Sequence, residues 1–403
     1  MRVRTLLPFL LTVAAVGGLV LGLVLPSSVV PTALGGTAVY DGAVTSDGAG
    51  PVQREDFATT GAGNGVAAEN QPQPVMEVSA LAEGEQAPQF VVVSFDGACR
   101  DELFRHYLDL GEETGARFTF FLSGLCLLPE GQADLYDPPR KERGTSAIGF
   151  ADADLVPQRI VNLTAAYDHG HEIGTHYLGH FCDAEGVGVW TTADWTSEIE
   201  QWDMVVNDWA QINGTPDPPN PLPFNASVVR GGRTPCLAGD RDQMYKAFIA
   251  AGYTYDASNP GKLQWPRKVA KDRLWDFPLQ AVKIVGYGRT AISMDYNFLY
   301  VQNGGKVDAP QAGCDKIRKS TYDSYMAALD AVYQGNRAPF FIGNHFNQWA
   351  CGAYRDALTD FVRDAHAKYP DVRFVTNRDL ESWLDAQDPA VLTALQGRPI
   401  QSY

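Results

Sequence analysis

The chain has 403 residues, 45% of them apolar and 20% charged, so it is long enough to bury a sizeable core and has the composition of a folded protein. Its formal net charge of −16 excludes a nucleic-acid partner or an anionic membrane surface held by charge, and it favours neutral or cationic substrates.

The N-terminus carries Arg2 and Arg4 and then an uncharged apolar run from Leu6 to Leu25. A run of this length can span a bilayer, so residues 1–30 are predicted to be a signal peptide or a membrane anchor. We favour an anchor that keeps the arginines on the cytoplasmic side, which would make the membrane a partner of this segment. Residues 31–86 have eight acidic residues against one basic and no sustained periodicity, which predicts a disordered acidic tether.

The next stretch, 87–388, alternates strand and helix patterns. Buried strands are predicted in QFVVVSFDG and RFTFFLSG, with a helix in RDELFRHYLDLGEETGA between them. Such a βαβ unit favours a parallel sheet. The alternation continues through RIVNLTAAYDHG, HEIGTH, SEIEQWDMVVNDWAQIN, ASVVRGG, RDQMYKAFIAAG, YTYDAS, STYDSYMAALDAVYQGN, APFFIGNHF, YRDALTDFVRDAHAKYP, VRFVTN and DLESWLDAQ.

About eight strands alternating with helices over roughly 300 residues predict a single α/β domain, a distorted or incomplete (β/α) barrel. A doubly wound open sheet is the alternative. Three irregular insertions are expected on one rim, at Cys126 to Val156, Cys182 to Thr192 and Lys268 to Ile317. Residues 389–403 are predicted to form a loose C-terminal tail.

Function in a parallel α/β fold collects at the carboxyl ends of the strands. The predicted strands end at or near Asp96, His176, Arg233 and His345. His180 lies four residues after His176, and imidazoles at this spacing face one side of a helical turn, where both could reach one ion. A carboxylate from the neighbouring strand would complete a His-His-Asp set suited to hydrolysing an amide or an ester.

The six cysteines predict disulfide bonds, since their number is even and the chain carries an export segment. A metal-thiolate site is the weaker interpretation because no CxxC pair is present. Four cysteines follow strand-end motifs by a few residues, and we expect at least one disulfide among them: Cys99, Cys182, Cys236 and Cys351.

Four tryptophans cluster around the third predicted helix: Trp190, Trp195, Trp202 and Trp209. Aromatic side chains near a sugar site often stack on pyranose rings, which is one interpretation of this cluster. Helical packing explains Trp202 and Trp209 at least as well, because they are seven residues apart.

In five motifs that occur in order, the chain resembles the polysaccharide deacetylases of the NodB-homology type, which are carbohydrate esterases of family 4. The motifs are VVVSFDGA, TFFLSG, GHEIGTHYLGH, RTPCL and FFIGNHF, and the resemblance covers about residues 90–384. It implies a NodB-type barrel and the removal of acetyl groups, N-acetyl rather than O-acetyl, from an acetylated polysaccharide such as peptidoglycan or a chitin-like glycan.

The resemblance also implies roles for individual residues. His176 and His180 would bind a divalent metal ion, zinc, and Asp96 would be the catalytic base or a third metal ligand. Arg233 would orient Asp96, and His345 would protonate the leaving group.

The chain departs from this family at Gly97, where the family has a second aspartate that binds the metal. Either Asp96 takes the metal and the base is missing, or Asp96 remains the base and the metal keeps two protein ligands. Asp183 and Asp101 are candidate substitutes for the missing carboxylate. The departure leaves open a second hypothesis, a deacetylase-like glycan-binding or scaffold protein with weakened catalysis.

Overall fold

The computed structural model describes residues 70–82 and 84–403. The expected signal or anchor segment and the first part of the expected tether, residues 1–69, lie outside this part of the chain. No helix among the described residues combines the length and the apolar character needed to cross a membrane.

The elements of the described chain follow the predicted alternation. The strands are β1 (Gln89–Asp96), β2 (Thr119–Leu122), β3 (Glu172–Thr175), β4 (Gly231–Gly232), β5 (Tyr255–Asp256), β6 (Pro260–Gly261), β7 (Arg267–Val269), β8 (Leu274–Asp276), β9 (Leu279–Ile284), β10 (Arg289–Ile292), β11 (Phe340–His345) and β12 (Val372–Phe374). The helices are α1 (Asp101–Thr114), α2 (Val156–Asp168), α3 (Thr192–Asn207), α4 (Trp209–Ile212), α5 (Arg241–Ala250), α6 (Asp295–Asn303), α7 (Gln311–Gln334), α8 (Trp349–Lys368), α9 (Asn377–Asp385) and α10 (Pro389–Gln396).

The main sheet has the strand order β11-β1-β2-β3-β4-β5-β8-β7, and β12 pairs with β1. The pairs from β11 through β5 to β8 are parallel, and only the β7–β8 pair at the edge is antiparallel. Because β1 to β5 follow one another in space as they do in sequence, this is the order of a (β/α) barrel and not that of a doubly wound sheet. The predicted α/β fold of the (β/α) barrel type is confirmed, and the described residues show no strand pair that joins the two ends of the sheet.

Strand β1 is buried along its whole length, as expected for a central parallel strand covered on both faces. Alternate residues belong to two apolar clusters. Val91, Val93 and Phe95 pack into the larger one, and Phe90 and Val92 into the other. Because side chains alternate between the two faces of a strand, Asp96 lies on the same face as Phe90 and Val92. Its carboxylate therefore stands at the strand end, beyond the apolar residues of the second cluster.

Strand β4 consists of two glycines squeezed between its neighbours. A Cβ on Gly232 would lie 2.2 Å from the backbone oxygen of Thr175, and one on Gly231 would lie 2.3 Å from that of Tyr255. Only glycine permits this approach, which brings the residue after β4 against β3.

Two sequence expectations about irregular segments were wrong. The insertion from Lys268 to Ile317 contains β8, the β9–β10 hairpin and α6, because residues of Leu279–Ile284 alternate between buried and exposed as a strand requires. The C-terminal segment is not loose. It forms α10, buries Leu395 and donates the Gln401 backbone N–H to Leu263 O at 3.0 Å.

The described end of the expected tether contacts the domain. Gln71 donates its backbone N–H to Pro223 O at 2.8 Å, and Gln73 donates its side-chain amide to Tyr167 O at 2.8 Å. These residues form neither helix nor strand, yet they belong to the folded unit, which therefore begins before residue 87.

We expect the Gly232→Ala substitution to destabilise the fold by about 1–3 kcal/mol, because the added methyl group forces β3 and β4 apart. Thermal unfolding with the disulfides intact measures the effect. Gly131→Ala is the matched control, since a Cβ there would meet nothing within 4 Å. Equal unfolding temperatures for the two variants would contradict the close packing of β4.

Candidate active site

The carboxyl ends of neighbouring parallel strands bring four of the expected residues to one edge. Asp96 ends β1 and His345 ends β11, and the pairing register sets these two residues directly opposite each other. His176 follows β3, and Arg233 follows β4. A carboxylate, a guanidinium and two imidazoles thus share one end of the sheet.

Asp96 and Arg233 form a buried ion pair. The Arg233 Nη1 atom lies 2.8 Å from Asp96 Oδ1, and both side chains are 2% exposed. Arg233 also donates its Nε–H to Ala257 O at 2.9 Å, and its guanidinium carbon lies 4.8 Å from the centre of the Phe121 ring. Burial raises the pKa of Asp96, but the Arg233 charge and its neighbours bring that pKa below the usual value. Asp96 is therefore ionised at neutral pH.

His176 is held by a backbone carbonyl. Its Nδ1 lies 2.8 Å from Arg233 O, which can only accept a hydrogen bond, so Nδ1 carries the hydrogen and Nε2 keeps its lone pair. Burial lowers the pKa of His176 in spite of the nearby Asp96 carboxylate. The ring is therefore neutral, with Nε2 available as a ligand.

His180 lies beside His176, although not by the expected helical turn. The segment between them is a loop in which Tyr177 and His180 have φ of 58° and 55°. The expectation of a helical turn was therefore wrong, yet the ring centres are 5.2 Å apart. Burial lowers the pKa of His180 to about 3, so this imidazole is also neutral.

A glutamate that the sequence did not single out holds this loop. Glu198 on α3 is fully buried, and its Oε1 accepts the backbone N–H groups of Leu178 and Gly179 at 2.9 and 3.2 Å. Its Oε2 accepts the hydroxyl of Tyr136 at 2.8 Å. In a helical turn these two N–H groups would donate to backbone carbonyl oxygens. Here the Glu198 carboxylate takes the place of those acceptors. Burial raises the pKa of Glu198 to about 7.

His345 is bound by a second residue that sequence reasoning missed, Asp295. The His345 Nδ1 lies 2.7 Å from Asp295 Oδ1, and the His345 backbone N–H donates to Oδ2 at 2.8 Å. Asn347 donates to the same Oδ2 at 2.7 Å. Burial lowers the pKa of His345, but the charge and hydrogen bond of Asp295, together with the Asp96 charge, raise it by more, so the net pKa lies above the usual value. The imidazole is thus suited to hold a proton and, being 28% exposed, to deliver it outward.

Neither missed residue had a distinctive local pattern. Asp295 is the first residue of α6, where an acidic side chain is ordinary, and it lies in the insertion expected to be irregular. Glu198 lies in the middle of α3 among other polar residues. Their burial is what distinguishes these two residues from other acidic residues, and the sequence does not record it.

The two candidate substitutes for the missing carboxylate lie in ordinary surface ion pairs. The side chain of Asp183 is 55% exposed, and its Oδ2 lies 2.8 Å from Lys141 Nζ. Asp101 pairs with Arg105 one helical turn later at 2.6 Å. Each carboxylate therefore has a surface partner, and neither substitution is supported.

The expected disulfide among four rim cysteines is confirmed by the Cys182–Cys236 bond, and Cys99–Cys126 and Cys314–Cys351 account for the rest. In the described residues, the side chains of His180, Cys182 and Cys236 form a group of three potential ligands within 4.8 Å of one another. Because both sulfurs are in the disulfide, this group offers no thiolate. Asp96, His176 and His180 do not form such a group.

The interpretation of the four clustered tryptophans as a sugar platform was wrong. They are at most 7% exposed and belong to the main apolar cluster: Trp190, Trp195, Trp202 and Trp209. Packing of α3 and its flanking segments in the core explains their burial, and Trp202 also donates its indole N–H to Leu122 O at 3.0 Å.

The two neutral imidazoles fit a divalent metal ion of the zinc type. Zinc prefers nitrogen ligands without a proton, and both rings satisfy this at neutral pH. The hydrogen bond from His176 Nδ1 to a carbonyl is the support that metal-binding imidazoles usually have. Asp96 is ionised but already bound to Arg233 through one oxygen, which leaves the other oxygen for a ligand or a proton.

The architecture together with this edge of polar residues defines a barrel protein that resembles the NodB-type polysaccharide deacetylases. No family model and no curated protein sequence matches the chain. Solved structures do. A protein from Mycobacterium smegmatis named as a polysaccharide deacetylase is 12% identical, with 77% of this chain and 94% of that chain covered and a TM-score of 0.44.

Two further solved structures come from Bacillus species. The peptidoglycan deacetylase PdaC from Bacillus subtilis is 13% identical, with 74% of this chain and 92% of that one covered and a TM-score of 0.36. A family 4 pseudoenzyme from Bacillus anthracis is 10% identical, with coverages of 74% and 66% and a TM-score of 0.37. These likenesses concern the fold alone.

We expect the Asp295→Asn substitution to lower the pKa of His345, because the charge that raises it is removed while burial remains. Titration of the His345 ring resonances by NMR measures the shift. Asp217→Asn, which removes an exposed carboxylate in a loop, is the control. A His345 pKa that is equal in both variants would contradict the assigned pair.

Proposed function

We propose that this protein is an exported, metal-dependent hydrolase that removes acetyl groups from a cell-envelope or extracellular polysaccharide. The observation that carries the proposal is the pairing of Asp96 with His345 across β1 and β11, beside the neutral imidazoles of His176 and His180. One edge thus holds a proton acceptor, a proton donor and two metal ligands, which are the groups that amide hydrolysis needs.

His176 and His180 would hold the metal ion, zinc, with Asp96 as the third candidate ligand. A bound zinc ion supplies Lewis-acid polarisation of a carbonyl group and lowers the pKa of water. Of the two roles open to Asp96, we favour that of the base. Arg233 occupies one of its oxygens. In addition, the ligand atoms of Asp96, His176 and His180 do not all lie within 4.8 Å of one another in the described residues.

In this mechanism Asp96 accepts the proton of the attacking water. The Arg233 charge keeps the carboxylate ionised and fixes its orientation. His345 gives a proton to the leaving nitrogen or oxygen. The Asp295 carboxylate, hydrogen-bonded to Nδ1, favours the protonated form of the ring before this step. With donor and acceptor on adjacent strands, the substrate carbonyl would lie between them.

The substrate class follows from charge and compartment. The net charge of −16 disfavours acidic polymers and suits a neutral N-acetylated glycan, whose amines become cationic after the reaction. Three disulfides that pair all six cysteines suit an oxidising compartment, as does the N-terminal apolar segment. Peptidoglycan and chitin-like glycans are the candidates, with the N-acetyl group favoured over the O-acetyl group.

A second candidate function is glycan binding with little or no turnover. Gly97 occupies the position of the family's second aspartate, and its φ of 62° lies in the left-handed region that favours glycine. Glycine adopts this conformation without strain, and it contributes no carboxylate to the site. A site with two imidazole ligands would hold its metal more weakly than one with three ligands.

We expect the zinc-loaded protein to release acetate from N-acetylated chitooligosaccharide or peptidoglycan. Asp96→Asn should lower the rate by about 10²–10⁴-fold, because it removes the proton acceptor. Acetate is measured by a coupled assay and bound zinc by mass spectrometry. Asp183→Asn, which alters an exposed carboxylate, should leave the rate unchanged.

Metal removal provides a second arm of this experiment. A chelator should abolish acetate release, and added zinc should restore it. If no acetylated glycan yields acetate while chitooligosaccharide still binds, the hydrolase proposal fails and the binding protein takes its place.

We expect Glu198→Ala to weaken zinc binding by about 10–100-fold, because the loop between the two imidazoles loses the acceptor of its N–H groups. Glu198→Gln should retain near-normal affinity, since an amide oxygen can accept the same bonds and its N–H can meet Tyr136. Competition with a chromogenic chelator measures both affinities. Similar losses in the two variants would indicate a role for the charge and not for the loop geometry.

A further inference from the structure

One tryptophan differs from all the others in its exposure. The chain has eight tryptophans, and Trp349 is the one that is partly exposed. The other seven are at most 7% exposed: Trp190, Trp195, Trp202, Trp209, Trp265, Trp275 and Trp383. Trp349 follows His345 by four residues and begins α8.

Trp349 lies in a small aromatic group around His345. Its ring centre is 5.5 Å from that of His345 and 5.9 Å from that of Tyr296. Tyr296 lies 6.3 Å from His345 and 5.2 Å from Tyr300, which is 38% exposed. The proton donor of the proposed reaction therefore adjoins an aromatic surface that reaches solvent.

The indole nitrogen of Trp349 has a free donor. Across the described residues no hydrogen bond engages this N–H, whereas Trp202, Trp265 and Trp275 use theirs on protein oxygens. A partly exposed indole with an unused N–H presents both an apolar face and a polar edge. This combination suits a sugar ring, which has an apolar face of C–H bonds and hydroxyl groups around its edge.

The backbone after Trp349 is held in an unusual conformation. Ala350, Cys351 and Gly352 have φ of 47°, 60° and 78°, and this left-handed conformation is strained for the two residues that are not glycine. The Cys314–Cys351 disulfide and a 2.6 Å hydrogen bond from Ala350 N–H to Val307 O hold this segment. Strain that the surroundings maintain in this way is typical of functional sites.

We propose that Trp349 and Tyr296 form a stacking platform for a pyranose ring at the leaving-group side of the site. This inference rests on the proposed function, since it takes His345 as the proton donor to the departing group. The ring that stacks is then the one that bears the departing nitrogen or its neighbour in the polymer. A pyranose with equatorial substituents fits because its axial C–H bonds form a flat apolar face.

The test uses binding and not turnover, in the otherwise intact protein with Asp96→Asn. Calorimetry with N-acetylglucosamine tetramer should show an affinity lowered about tenfold or more by Trp349→Ala, which corresponds to about 1.4 kcal/mol. Trp349→Phe should retain much of the affinity because it keeps an aromatic face. Tyr322→Ala is the control, since Tyr322 hydrogen-bonds Asp364 near the far end of α8.

Tryptophan fluorescence gives a readout that a merely structural role would not move. Because the other seven tryptophans are buried, binding of the tetramer should shift the emission of Trp349 to shorter wavelength. The shift should disappear in Trp349→Phe while binding persists. Equal affinities for Trp349→Ala and Tyr322→Ala, or no binding by the Asp96→Asn protein at millimolar tetramer, would overturn the platform.

The two proposals can fail separately. Binding that depends on Trp349 without any acetate release would leave the platform in place and remove the hydrolase. Acetate release that is unaffected in rate or KM by Trp349→Ala would leave the hydrolase in place and remove the platform.

Discussion

The buried ion pair between Asp96 and Arg233 is the constraint on which the candidate site depends. Desolvating two charges costs several kcal/mol per ion, so such a pair persists only where further contacts compensate. Arg233 has these contacts in Ala257 O and the Phe121 ring, which draw β1, β4 and the end of β5 together. The carboxylate is therefore ionised and oriented before any ligand arrives, which is the preorganisation that electrostatic catalysis requires.

Each imidazole of the site is likewise held in place by a group from elsewhere in the chain. His176 donates to the carbonyl of Arg233, His345 is held by Asp295, and the loop before His180 is held by Glu198. Each supporting group comes from a different part of the chain. The Arg233 carbonyl and the Asp295 carboxylate fix the position of a ring N–H, and the Glu198 carboxylate fixes the backbone of a loop. Burial lowers the pKa of His176, whereas Asp295 helps to raise the pKa of His345, so the two imidazoles differ in their readiness to take up a proton.

The loops around this edge differ from the core in the exposure of their aromatic side chains and in the bonds that hold them. Tryptophans that pack α3 are buried, whereas Trp349 is displayed beside His345 on a backbone that a disulfide holds in place. Cys182–Cys236 similarly joins the loop of His180 to the loop that follows Arg233. Irregular segments at the open end of the barrel are thus fastened by covalent bonds where strands no longer provide hydrogen bonds.

The sequence by itself determined the alternation of strands and helices, an α/β fold with a parallel sheet and the placement of Asp96, His176, Arg233 and His345 at one edge. These features follow from local periodicity and from the rule that parallel strands end together. Only the tertiary structure decided the partners of these residues, the loop conformation at His180 and the burial of each tryptophan. Asp295 and His345, for example, are 50 residues apart, and such contacts depend on packing between distant segments that no local pattern encodes.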